Sequence, residues 1–354
     1  MKRALIIGMG AALLAIPLAS SAQTAKPAAA AYHTPRNSFG QPDLDGTWTN
    51  ATITPQTRPA QYGDRLAHTP AEVKQLEGGV QASIAQGNRN TDPNAPTPVA
   101  GVDPGGYNRG WLDPGSAVMR VSGQPRTSIL TTVNGQPPAR KAGAPAAFPG
   151  GAPGGGRGGA GAAAARPAAG RGQFDNPEQR PLGERCIISF GRNGGPPMFA
   201  NGFYNNDYQF VQNKDEVAIV IEMVHDVRHI RLNTKQHQPD KVRPWFGDSI
   251  GWYEGDTLVV ETTNIPQRQN YQGSWEHLKV VERFNRVAKD RMLYQFTVED
   301  PTIWDKPWGG EYEFATLQGD IHEYACHEGN YALTGILAGA RAEEVTAVSK
   351  AASR

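Results

Sequence analysis

From residue 207 onward, apolar and polar positions alternate in short runs separated by Gly, Asn and Asp. In RMLYQFTVED (291–300), Met292, Tyr294, Phe296 and Val298 alternate with Leu293, Gln295, Thr297 and Glu299, the period of a half-buried strand. DYQFVQ (207–212), EVAIVIEMVHDVRHIRL (216–232), GDTLVVETTN (255–264), LKVVERFNRV (278–287), EYEFATL (311–317) and IHEYACHE (321–328) read as further strands. Serial strands joined by short turns predict antiparallel hairpins that close into a barrel or a sandwich. The final run, NYALTGILAGARAEEVTAVSK, reads as a helix with Leu333, Ile336 and Leu337 on its apolar side.

The part before this meander, 41–141, is rich in turns. PDLDGTWTN (42–50) reads as a turn leading into a short strand. Thr69-Pro70-Ala71-Glu72 combines a capping hydroxyl, Pro at the first helical position and Glu at the third, which predicts a short helix to about Gln86. RTSILTTVNGQPP reads as a strand with a turn at Asn134-Gly135. This part has too little to bury to fold alone, so it is expected to pack on the barrel.

Composition changes the picture at two places. Lys2 and Arg3 followed by the apolar run Ala4–Ala19, then Ser20-Ser21-Ala22, form an export signal (1–22) with cleavage near Ala22. The chain is therefore expected to be periplasmic or secreted, with no membrane insertion after cleavage. A flexible tether (23–40) follows. Between 142 and 172 every residue except Phe148 is Ala, Gly, Pro or Arg, a segment that cannot offset its chain entropy and is expected to be disordered. The remaining divisions are a β-barrel at 173–330 and a C-terminal helix at 331–354. With 35 Lys+Arg against 34 Asp+Glu, the chain offers no basic excess for nucleic acid. In an oxidising compartment its two cysteines, Cys186 and Cys326, are expected to form a disulfide rather than serve as a thiol nucleophile or metal ligand.

Several blocks together resemble a widespread family of exported bacterial proteins: YNRGWLDPG (107–115), ERCIISFG (184–191), YNNDYQFVQ (204–212), IEMVHDVRHI (221–230), GDSIGWYEGDTLVVETTN (247–264), VERFNRV (281–287), FTVEDPTIWDKPW (296–308) and EYACHEGNYALTGILAGARAEE (323–344). Against that pattern this chain adds the 142–172 segment and carries His322 at a position where an aromatic is usual. The resemblance implies a lipocalin-like barrel, in keeping with GTW (46–48). It implies no activity.

Candidate chemistry concentrates in two places. EMVHD and its sequel supply Glu222, His225, Asp226 and Arg228; on a continuous strand Glu222, Asp226 and Arg228 share one face and His225 and His229 the other. Four residues span ~13 Å on a strand, which excludes chelation by His225 and His229. EYACHEGN supplies Glu323, His327 and Glu328, with Asn330 as a cap for the last helix. His327 and His225 are candidate bases, with Glu323, Asp226 and Glu222 as carboxylate partners. Arg228 and Glu328 are candidate ligand-binding groups, and Trp304, Trp308 and Trp252 candidate platforms for a sugar or flat ring. Against these stand structural readings: an ion-pair network closing the barrel end, a strand-to-helix corner, and a lid of packed indoles. No G-x-S-x-G, phosphate loop, H-E-x-x-H, paired C-x-x-C or cofactor fingerprint occurs, so no cofactor and no metal are expected. The sequence supports a small-molecule-binding barrel with an ionisable pocket, or a metal-independent acid/base lyase or hydrolase acting on a small sugar-like or aromatic substrate, or a structural envelope protein. It leaves the oligomeric state open.

Overall fold

Nine strands close a barrel, and one of them comes from far outside the meander. The computed structural model describes residues 32–90, 94, 114–145, 174–200 and 206–352. The export signal, residues 23–31 of the tether, Trp111 and residues 146–172 lie outside the described residues. β1 (Gly46–Thr49) is followed by α1 (Pro70–Gly87) and a small hairpin of β2 (Arg120–Val121) and β3 (Gln124–Pro125). Then come β4 (Asp207–Gln212), β5 (Glu216–Ile221), β6 (Asp226–Arg231), β7 (Asp248–Glu254), β8 (Thr257–Thr263), β9 (Lys279–Ala288), β10 (Arg291–Glu299), β11 (Trp308–Thr316) and α2 (Tyr331–Ala352). The barrel order is β1-β11-β10-β9-β8-β7-β6-β5-β4, with β1 pairing both β4 and β11. The chain is thus mainly β, a closed barrel with one N-terminal and one C-terminal helix.

Four elements differ from the sequence expectation. The run 216–232 is two strands: Val224 and His225 take left-handed backbone (φ 61° and 45°), and β5 folds back on β6 with Ile221 opposite Asp226. No Gly, Asn or Pro marks that turn, so the apolar run concealed it. β7 was hidden in a stretch containing Gly251; after β6 the chain crosses over through 232–247 and enters β7 parallel to β6, pairing Ile230 with Ser249. All other barrel pairs are antiparallel. The segment 321–328 is not a strand, because β1 already occupies the free edge of β11 that a following strand would need. RTSILTTVNGQPP makes only isolated bridges, at Arg126 and Leu130, before the turn at Asn134-Gly135.

The helices follow their local signals. Thr69 and Glu72 form a reciprocal capping box at the start of α1. Asn330 caps α2 through Leu333 N–H at 3.3 Å, and Leu333, Ile336, Leu337 and Ala340 form its less exposed side. Among the described residues no helix is long and apolar enough to cross a membrane.

The lumen is packed. Phe210, Phe284, Phe314 and Tyr294 interlock near its centre, with Phe210 and Phe284 at 5.3 Å and Phe284 and Tyr294 at 5.0 Å between ring centroids. At one end the segment 189–200 enters as a plug, with Asn193 and Met198 fully buried and Phe199 nearly so. Gly194 lets the plug pass, since a Cβ there would stand 2.4 Å from Phe246 and 2.7 Å from Ile221.

Candidate functional site

The β5–β6 turn places Glu222, His225 and Asp226 at the plugged end of the barrel. Glu222 is buried; its N–H donates to Asp207 O at 3.0 Å, and its Oε1 accepts the His322 N–H at 2.9 Å. His225 is exposed, with Nδ1 3.3 Å from Tyr324 O. Because a carbonyl only accepts, Nδ1 carries the hydrogen there, and Nε2 makes no hydrogen bond among the described residues. Asp226 is half-buried and its Oδ2 accepts the Ser189 N–H at 2.9 Å. Burial pushes its carboxyl up to about 7, opposed by the Ser189 hydrogen bond and the adjacent imidazole. Left-handed backbone at a β-branched residue such as Val224 is strained, and such residues gather at functional turns.

The two polar stretches that the sequence set far apart meet here. The 322–326 segment lies against the turn through the His322–Glu222 and Tyr324–His225 contacts. A disulfide joins Cys186 to Cys326, 140 residues apart, and so ties this segment to the chain leading into the plug. Only part of the second stretch takes part. Glu323, His327 and Glu328 are exposed and make no side-chain hydrogen bond or ion pair among the described residues, so no carboxylate pairs with His327. Since 321–328 is not extended, the ~13 Å strand spacing expected between Glu323 and His327 does not apply either.

Arg228 points into the lumen and is fully enclosed. It pairs with Glu282 through two hydrogen bonds, at 3.1 and 2.5 Å, with neither side chain exposed. Burial works against its charge, the Glu282 carboxylate outweighs that, and the guanidinium pKa stays above its ordinary value. The pair belongs to a continuous network. Tyr294 Oη donates to Glu282 at 2.8 Å and accepts Met198 N–H at 2.9 Å; Tyr312 Oη donates to Met198 O at 2.7 Å; Tyr208 Oη donates to Asn193 O at 2.9 Å. Asn50 Nδ2 donates to both Tyr208 and Tyr312, at 3.0 and 3.1 Å. The plug backbone is therefore held by lumen phenols. Arg192 of the plug lies 4.8 Å over the Tyr271 ring, and burial pushes its pKa down to about 10.

The tryptophans do not form one platform. Trp304 and Trp308 are buried edge-to-face at 5.4 Å, and Trp308 stacks on Tyr271 at 5.6 Å. Trp252 is exposed on β7, its Nε1 donating to Glu254 at 2.9 Å.

Glu282 and Asn50 were not among the residues singled out from the sequence. The signal for Glu282 was present: in LKVVERFNRV it shares a face with Val280 and Phe284, and a lone carboxylate on an apolar face needs a buried partner. Asn50 begins an inverted pattern, Asn50, Thr52, Thr54, Gln56 and Arg58, in which the polar alternate residues are the buried ones. A cavity of about 30 Å3 lies against this segment, which is room for water-sized groups and not for a whole organic ligand. Among the described residues no group of three or more His, Cys, Asp or Glu is placed to hold a metal ion.

No family model matches the chain, and no curated protein matches it. Among solved structures the chain is similar to a mutant of the fluorescent protein UnaG, at 11% identity over 39% of this chain and 86% of that one, with a TM-score of 0.23.

Proposed function

We propose that this is an exported barrel protein that takes a small molecule at the end where the β5–β6 turn meets the 322–326 segment, outside the filled lumen. The observation that carries the reading is Asp226: a half-buried carboxyl in no ion pair among the described residues, pushed up to about 7 by burial, beside an imidazole whose Nε2 makes no hydrogen bond among them. Carboxyls placed only for stability are usually ion-paired or fully solvated, whereas this one is only partly exposed and in no ion pair among the described residues. Export rests on the basic and apolar N-terminus and is in keeping with the Cys186–Cys326 disulfide. The test is native mass spectrometry of protein purified from its source without denaturation. A non-covalent mass should accompany the wild type and be lost from Asp226→Asn and His225→Gln. A wild-type mass equal to that of the bare polypeptide, or an added mass kept by both variants, overturns the reading.

The same two groups favour a second reading, metal-independent acid/base catalysis, with His225 as the base and the Asp226 carboxyl as the acid. NMR of the retained molecule incubated with enzyme would show its conversion, fastest near neutral pH and abolished by Asp226→Asn. If the molecule persists unchanged at every pH, the protein binds it and does no chemistry on it.

A further inference from the structure

We infer that Asn50 and the cavity it lines form a pocket for a neutral hydroxyl group of a small ligand. The argument starts from the orientation of one carboxamide. Tyr208 and Tyr312 have each given their phenolic hydrogen to a plug carbonyl, Asn193 O and Met198 O. Both phenol oxygens can therefore only accept, and the group facing them must be the Asn50 Nδ2 amine. The reverse orientation would set Asn50 Oδ1 against two oxygens with no hydrogen between them. Oδ1 consequently faces the other way, and among the described residues it has no hydrogen-bond partner although Asn50 is only 1% exposed. A buried acceptor left unmade is costly, so this one calls for a donor.

The walls say which donor. Thr52 Oγ1 donates to Ala117 O and accepts Thr54 N–H, while Thr54 Oγ1 donates to Arg126 O and accepts Met119 N–H. The lining hydroxyls are thus engaged, and Phe199 and Ile129 add apolar surface. Among the described residues no carboxylate lines the cavity, and Glu282 in the lumen is taken by Arg228 and Tyr294. An ammonium group would be stranded without a counter-charge, whereas a hydroxyl on a short apolar stem satisfies Oδ1 and covers Phe199. The volume, about 30 Å3, suits the end of a ligand, and half-exposed Ile53, Pro55 and Ala200 bring its rim to the surface. This pocket does not depend on the reading of His225 and Asp226. It lies across the first residues of β4 from them, where Asn50 N–H donates to Asn206 O and Glu222 N–H to Asp207 O.

The experiment titrates the 15N-labelled full chain with 2-propanol, and in parallel with acetonitrile, which accepts hydrogen bonds but donates none. 2-Propanol should shift the Asn50 side-chain amide signals saturably, and acetonitrile should leave them within a tenth of that shift. A crystal soaked in 2-propanol should place its oxygen within hydrogen-bond distance of Asn50 Oδ1. Ala200→Leu, which fills the rim without touching the phenol network, should abolish both effects. Equal shifts from the two solvents, an ordered water only in the soaked crystal, or a shift that survives Ala200→Leu would overturn the proposal.

Discussion

The Asp226 carboxyl is held up at about 7 because its half-buried position disfavours charge more than the Ser189 N–H and the adjacent His225 favour it. The fold therefore favours the protonated form: this stabilisation is complete below the unfolded value of 3.8 and is lost as pH rises through about 7. Asp226→Asn removes the dependence. Urea denaturation should show the variant and the wild type nearly equal at pH 4 and the variant more stable at pH 8, by at most on the order of 4 kcal/mol. Arg228 and Glu282 present the opposite case, two charges satisfied by each other. Arg228→Met alone should cost about 3–5 kcal/mol by leaving Glu282 buried and unpaired, while Arg228→Met with Glu282→Leu should recover most of that in a denaturant-based double-mutant cycle. From the sequence Arg228 reads as a ligand-binding group sharing a face with Glu222 and Asp226, and Glu282, though alone on an apolar face, is not singled out. The sequence could not disclose that they face each other, since β6 and β9 are separated in the barrel by β7 and β8.

At the scale of elements, alternation identified β4, β8, β9, β10 and β11 within a few residues, and the Thr69 and Asn330 caps located the starts of both helices. What escaped were elements set by contacts distant in sequence. The β5–β6 turn is held by strand pairing on both sides and by Glu222 bonding to β4 and to His322. The 322–326 segment has strand-forming residues but no open edge to join. The plug carries the Gly-rich run GRNGGPP (191–197), and only its burial shows that it fills the barrel. Gly194→Ala should push it against Phe246 and Ile221, costing about 1–3 kcal/mol and weakening the near-ultraviolet circular dichroism of the lumen aromatics. Unchanged stability and spectrum would mean that the plug has slack which the packing does not suggest.

For the whole molecule, the Cys186–Cys326 bond closes a loop of 140 residues and fixes the 322–326 segment beside the β5–β6 turn. Cys326→Ser should lower stability by about 2–5 kcal/mol, chiefly by enlarging the unfolded ensemble. It should also free the segment, so that the His322 backbone amide loses its protection from hydrogen exchange while amides of β9 and β10 keep theirs. If His322 stays protected, Glu222 alone suffices to hold the segment.

Local preferences, written in neighbouring residues, decided that this chain is built of strands with a helix at either side, and where most of them begin and end. The pairing of its two cysteines needed only their number and their setting. Closure of the barrel by β1, the parallel step into β7, the plug in the lumen and the meeting of the Asp226 turn with the 322–326 segment were decided by the tertiary structure. Each joins groups remote along the chain, and free edges and unfilled volume exist only once the other strands are in place.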